Sequence, residues 1–481
     1  MNRSTKWLPL VTLLTLVALV LAACGGAPAT TTGQAPAAGT TEATAPTTAA
    51  AESAAPTEAT TEAPTEAATE AATEATTEAA ATSAAGGGAS GKLEIFSWWT
   101  NGGEATGLEA MFDVYKQQNP GVEIVNATVA GGAGTNAKTV LKTRMQGGQA
   151  PDSFQVHAGQ ELIGTWVVAD KMEPLTQLFK DEGWDKVMPQ LLLDQISHNG
   201  EIYSVPVNIH RSNMLWYNKQ IFADNNLQPP ATVDDFFTVA EALKAKGITA
   251  LSVGGKDNFE APHLFESVLL ATFGPDDYVK LFQEPYDMWA DERTVTAIDT
   301  MSRMLGYANA DRSAKGWADA AQDVLDGKAA MTIMGDWAEG YFLSKGATPN
   351  EEFGWAPAPG NQDVFMWLSD SFGLPKGAPN REAALAWLQV CGSKEGQDAF
   401  NPKKGSIPAR TDADKSLYDE YLQSSIDAFA SDKLAPSVVH GAAANEAFMT
   451  AYGNALNVFS SDLDVEQLGT ALTEAVVELT Q

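Results

Sequence analysis

Basic residues are scarce in this chain: 30 lysines and arginines stand against 61 aspartates and glutamates, a formal charge of -31. Such a balance repels phosphate backbones and anionic lipid surfaces, which excludes nucleic-acid binding and polybasic membrane docking and leaves a neutral or cationic partner. Cysteine is scarcer still. Cys24 and Cys391 are the only two, too few for a disulfide framework, and Cys391 sits in the apolar pattern WLQVCGS as a buried structural thiol rather than a nucleophile. Also missing are H-E-x-x-H, G-x-S-x-G, a Walker A loop and a paired C-x-x-C, so metalloprotease, hydrolase-elbow, nucleotide and zinc readings have no support, and no metal or cofactor is expected. The five histidines, His157, His198, His210, His263 and His440, are scattered singly, and each alone reads as a hydrogen-bonded structural residue.

What is present begins with a leader. MNRSTKWLPLVTLLTLVALVLAAC runs from a basic start at Arg3 and Lys6 through an apolar stretch to Leu21-Ala22-Ala23-Cys24. That layout predicts a bacterial secretory signal over 1–23 ending in a lipobox, with Cys24 acylated as the new N-terminus. A transmembrane anchor is the alternative, against which stand the short apolar run and the small residues before a lone cysteine. From 24 to 91 the chain is Ala, Thr, Pro, Gly and Glu with almost no large apolar residue. Glu58, Glu62, Glu66, Glu70, Glu74 and Glu78 would stack like charges one helical turn apart, and Pro64 would interrupt the helix. The segment is predicted to be a disordered tether that holds a folded head off the extracytoplasmic face of a membrane, at the cell surface or in the periplasm.

The head opens with strand, helix, strand, helix, strand. KLEIFSWW reads as a strand that ends in two indoles, and a buried strand cannot send both Trp98 and Trp99 into one core. Leu108, Met111, Phe112 and Tyr115 mark one helix face, ended by Asn119-Pro120-Gly121 before the strand VEIVNATV. A second helix carries Ala137, Val140, Leu141 and Met145 and precedes SFQVH. This alternation predicts a doubly wound α/β lobe, in which ligands bind beyond the carboxyl ends of the strands. Beyond Asn208 the pattern restarts with MLWYNK, a helix from Thr232 to Lys246 capped by Thr232 with Asp235 three residues in, and later helical and strand segments. Two α/β lobes facing a cleft follow.

Gly132-Ala-Gly134-Thr-Asn-Ala137 matches the dinucleotide pattern G-x-G-x-x-A. The acid it needs, Asp152, precedes the next strand instead of ending it, so a glycine turn at the cleft rim is the better reading.

Taken in order, KLEIFSWW, NATVAGGAGTNAKTVLKTRM, FQVHAGQELIGTWVVA, VPVNIHRSNMLWY, MGDWAEGY, LSDSFGLPKGA, GSKEGQD, KKGSI and VHGAA resemble the glucose/galactose-binding members of the extracellular solute-binding proteins, family 1, of carbohydrate ABC importers. The likeness spans essentially the whole head from Lys92. It implies a type II periplasmic-binding-protein clamshell, each lobe a doubly wound sheet with helices on both faces. The N-terminal lobe would comprise 92–209 and 363–411, and the C-terminal lobe 210–362 and 412–481. It further implies no catalysis, a monomeric head, and delivery of a small neutral sugar, D-glucose before galactose, to ABC permease subunits.

A pyranose has an apolar C–H face and hydroxyls that each donate and accept, so its site needs aromatic faces beside carboxylates, amides, imidazoles and lysine. By resemblance, Trp98, Trp99 and Glu104 come from the first strand end, Gln155 and His157 from the third, Trp317 from the second lobe, Asp336 from MGDW, Lys404 from KKGSI and His440 from VHG. Glu104 lies one residue further from the tryptophans than in the family. Phe259 stands where the family carries tryptophan, which keeps a stacking face and loses an N–H donor. Trp337 reads as a wall of the cleft, and His210-Arg211 as a brace of the hinge. Two other classes stay open: an exported glycoside hydrolase using carboxylates such as Glu104 and Asp336, and a sugar-sensing accessory that imports nothing.

Overall fold

Leu93, Ile95 and Phe96 are buried along the strand Gly91–Phe96, the first element of a computed structural model that describes residues 91–480. The segments predicted as leader, lipidation site (Cys24) and tether lie outside the described residues, except Gly91, which the sequence reading gave to the tether and which opens the first strand. Among the described residues no helix is long and apolar enough to cross a membrane.

The first sheet orders its strands Val122–Asn126, Gly91–Phe96, Ser153–His157, Asp370–Gly373, Ser204–Pro206. The first three are parallel, as strands joined by helical crossovers must be. Asp370–Gly373 returns from far along the chain and pairs antiparallel with Ser153–His157. The predicted face of helix Gly102–Gln118 is buried as read, with Leu108, Met111, Phe112 and Tyr115 in the first core.

A second sheet holds Phe353–Pro357, Met214–Asn218, Ala329–Ile333 and Thr249–Leu251 in that order. Its helix Val233–Lys244 starts on the anticipated capping box, with Asp235 N donating to Thr232 Oγ1 at 3.1 Å and Thr232 N to Asp235 Oδ2 at 3.0 Å. A three-stranded sheet, Lys433–Pro436, Val364–Leu368 and His210–Arg211, joins three distant segments. Val364–Leu368 belongs to this sheet, and the chain passes to the first sheet only at Asp370. Cys391 is buried and free, and burial holds its thiol well above the usual range, so it stays protonated.

Candidate functional site

The strand of the first sheet ends at Phe96, so face alternation no longer governs Trp98 and Trp99, and both are buried. Trp99 packs against Phe400 and Phe372, with ring centroids 4.9 and 5.7 Å away, and Trp98 against His157 at 5.0 Å. Their remaining surfaces wall a cavity of about 330 Å³ that lies between the strand ends of the first sheet and the loops of the second. Across it stand Phe259, Trp317 and Trp337.

The rim is closed by a glycine turn. A Cβ on Gly132 would fall 2.4 Å from the Phe259 ring, and one on Gly134, whose φ is +78°, would fall 2.7 Å from the Trp98 ring. Only glycine lets this backbone lie on two aromatic faces. The G-x-G-x-x-A match is therefore a contact device at the cavity rim, as the sequence suggested.

Charged groups gather on the cavity floor. Lys404 Nζ sits 3.1 Å from Glu104 Oε1 and within 6 Å of the Trp99 and Trp337 ring centroids. Burial pushes the Glu104 carboxyl above its usual range, and Lys404 offsets this only in part. His157 Nδ1 meets Glu161 Oε2 at 2.7 Å, and Lys138 Nζ meets the same oxygen at 2.7 Å. Burial alone would raise Glu161, but Lys138 and His157 overcome it and hold the carboxyl at about 2. His210 lies between Asp336, which its Nδ1 touches, and Asp370 Oδ2, 3.3 Å from its Nε2. Burial and Lys404 favour neutral His210, yet the two aspartates prevail and raise its pKa. Asp370 is held well below the carboxylate range, burial being outweighed by His210, Lys404 and His157. Burial, followed by His157, His263 and Lys138, keeps His440 well below the imidazole range and neutral.

Eight of the anticipated residues line the cavity: Trp98, Trp99, Glu104 and His157 from one side, Phe259, Trp317, Lys404 and His440 from the others. Two do not. Asp336 is fully buried behind the wall, its oxygens taken by His210 and by the Arg211 backbone N–H at 2.8 Å. Gln155 spends its amide on positioning, accepting from Trp98 N at 3.2 Å and donating to Asp370 Oδ1 at 2.8 Å. In their place the cavity takes Asp370 and His210, which the sequence reading put at the hinge or passed over. A charged residue inside the apolar run VFMWLSDSFGLP was the available signal for Asp370. Four of the histidines read as scattered also converge: His440 lies 5.5 Å from His157 and 5.7 Å from His263, and Trp337 stacks edge-on to His210 at 5.4 Å.

His263, Glu266 and His440 bring ligand atoms within 4.8 Å of one another, a spacing open to a metal ion. The donor geometry uses the space otherwise. Glu266 Oε1 accepts from Ser212 Oγ at 2.6 Å and its Oε2 from Val438 N, Val439 N and Ser437 Oγ at 3.1, 3.3 and 2.8 Å. The carboxylate is thus saturated by hydroxyl and amide donors, with the Ser437 hydroxyl between it and His440. The arrangement as a whole can hold a polyhydroxylated ligand with an apolar face: indoles for stacking, fixed ionic and neutral groups for hydroxyls.

Known proteins share this chain's sequence and shape. The family model described as bacterial extracellular solute-binding protein matches residues 99–398. An "uncharacterized ABC transporter extracellular-binding protein" of Pyrococcus horikoshii is 37% identical over 80% of this chain and 87% of its own length. A "probable sugar-binding periplasmic protein" of Brucella suis is 33% identical over 80% of this chain and 91% of its own. Among solved structures, the bacterial solute receptor AcbH superposes with a TM-score of 0.71 at 17% identity, covering 81% of this chain and 98% of that one. The fold is the two-lobe type II architecture of these receptors, and its relatives are solute-binding proteins rather than enzymes. With most of its length matched by the family model, the chain belongs to the bacterial extracellular solute-binding proteins.

Proposed function

We propose that this protein captures a monosaccharide, D-glucose before D-galactose, in the cavity between its lobes and hands it to the membrane subunits of an ABC importer, acting as a monomeric head on a lipid anchor at Cys24. The observation that carries the reading is the cavity itself: four indoles and Phe259 enclose a floor of carboxylate, lysine and imidazole groups. Its volume of about 330 Å³ falls at the small end of the usual 300–1,000 Å³ range for ligand pockets, which favours one pyranose ring over an oligosaccharide. The names of the relatives agree on the class. The Brucella protein is named for sugar binding, and the solved receptor for an exclusive preference for β-D-galactopyranose. Trp98, Trp99, Glu104, His157, Phe259, Trp317, Lys404 and His440 are the proposed contacts, with Asp370 added. Gln155 and Asp336 act from behind them by holding Trp98, Asp370 and His210.

Calorimetry of the purified protein with glucose, galactose, mannose, xylose and maltose tests the assignment. Heat from glucose with a dissociation constant in the micromolar range supports it. No heat from any monosaccharide, with heat from maltose, overturns the hexose assignment and leaves the family membership standing.

A further inference from the structure

We infer that Glu266, acting through Ser437, fixes His440 as the tautomer with its proton on Nδ1, so that Nε2 presents a bare lone pair to the ligand cavity. The inference rests on the sugar-binding reading for its consequence but not for its geometry.

The chain of contacts starts at Glu266, on the buried helix Glu260–Phe273. Its carboxylate collects the Ser212 hydroxyl, two backbone N–H groups of the turn 438–439 and the Ser437 hydroxyl. Two backbone amides and two serine hydroxyls thus aim donors at its two oxygens. Ser437 Oγ lies 2.8 Å from Glu266 Oε2 and also 2.8 Å from His440 Nδ1. A hydroxyl has one proton and two lone pairs. If that proton went to His440, Ser437 would turn lone pairs toward a buried carboxylate, an uncompensated repulsion in a low-dielectric interior. The proton therefore goes to Glu266, and the Ser437 oxygen is left to accept. His440 Nδ1 must then be the donor. The ring is neutral, consistent with the burial and the cationic neighbours that hold it well below its usual range, so Nε2 carries no proton.

The second nitrogen is the one that matters to a ligand. His440 lines the cavity, and its Nε2 has no hydrogen-bond partner among the described residues. In the Nδ1–H form this atom only accepts. The hydroxyl that faces it must donate, and its own oxygen is left to accept from a neighbour. Glu266 and Ser437 touch no ligand, so they are positioning residues that write the donor pattern of the site from beneath its floor.

The test reads the tautomer directly. In uniformly 15N-labelled protein without sugar, His440 is assigned by the signals lost in His440→Asn, and one-bond and two-bond N–H correlations tell protonated from bare ring nitrogens. The expected result is a proton on Nδ1 and a pyridine-type Nε2. A proton on Nε2 in the unaltered protein overturns the inference outright. Ser437→Ala breaks the relay, and His440 should then shift toward the Nε2–H form. An unchanged Nδ1–H signal in that variant would show that another group sets the tautomer and would equally overturn the relay. The functional arm uses monodeoxyfluoro-D-glucoses, in which fluorine accepts but cannot donate. At the position facing Nε2 the fluoro sugar should bind the unaltered protein about tenfold or more weakly than glucose, and the penalty should shrink in Ser437→Ala. If glucose itself does not bind, the sugar assignment fails while the tautomer result still stands or falls alone.

Discussion

His210 Nε2 lies 3.3 Å from Asp370 Oδ2, which ties the strand His210–Arg211 of the three-stranded sheet to the strand Asp370–Gly373 of the first sheet. The same carboxylate receives Gln155 and Asn208 side-chain amides at 2.8 and 2.9 Å. Asp370 thus joins the strand Ser153–His157 to the segment 208–210 and is itself held ionised by His210, Lys404 and His157.

Asp370→Asn should leave a buried imidazolium with Asp336 as its remaining aspartate partner. Losing the second of its two carboxylate partners should lower stability, which a urea midpoint would register. The raised pKa of His210 stabilises the fold fully below its unfolded value near 6.5 and loses that contribution as pH rises through the folded value. Removing Asp370 lowers the folded value, so the alkaline decline should begin at lower pH. A variant with an unaltered midpoint and pH profile would mean that Asp370 does not charge His210.

Glu161 controls the other limb. Its carboxyl is held at about 2 in the fold against about 4.3 when unfolded, so its contribution is complete above the unfolded value and is lost as pH falls toward 2. Denaturation of Glu161→Gln should show a flatter acid limb between about pH 4 and 2. An acid limb identical to that of the unaltered protein would remove the Lys138–Glu161–His157 group from the account of acid stability.

Much of the fold was legible because it repeats simple periods. The helix face Leu108, Met111, Phe112, Tyr115 and the Thr232–Asp235 cap are local patterns, fixed within a few residues of chain. The cavity's aromatic lining was legible through resemblance. What sequence could not supply was pairing across long separations. Asp336 looked like a ligand group until its oxygens proved to be occupied by His210 and Arg211 from 126 and 125 residues away. Asp370 and the convergence of four histidines depend on segments that only tertiary structure brings together, and no spacing rule records which carboxylate a buried imidazole will meet.

Gly132→Ala tests closure of the cleft. Its Cβ would meet the Phe259 ring at 2.4 Å, well inside contact distance, so the glycine turn and the loop before helix Glu260–Phe273 would have to part. The variant should fold with a near-normal thermal midpoint yet bind glucose at least about tenfold more weakly, because a ligand favours the closed state only through contacts made there. Small-angle scattering should show compaction on adding glucose to the unaltered protein and less compaction in the variant. Equal compaction and equal affinity would show that this contact does not limit closure.

The anchor has its own test. With Cys24→Ala the lipidation site proposed from the leader is gone, and the protein should move from the membrane fraction to the soluble fraction with sugar affinity unchanged. Retention on membranes would mean that the apolar leader spans the bilayer.

Substitution at the aromatic walls must separate binding from packing. Trp99 is almost wholly buried against Phe372 and Phe400, and truncating such a residue costs about 3–5 kcal/mol of stability, so loss of binding in Trp99→Ala would be ambiguous. Trp317 is the better probe. It opens the helix Trp317–Leu325 at the cavity wall, with an edge contact to Tyr341 at 5.8 Å, and keeps more of its surface exposed. Trp317→Ala should lose a stacking face for the pyranose, a loss of about 1 kcal/mol or more and hence at least fivefold in affinity, and its urea melt separates that loss from the packing the buried ring contributes. Trp317→Phe should recover part of that loss, since a phenyl ring restores the apolar face. The paired measurement is calorimetry with glucose and a urea melt of each variant. Unchanged glucose affinity in Trp317→Ala would take the second lobe's indole out of the site and leave the sugar gripped from the other walls alone.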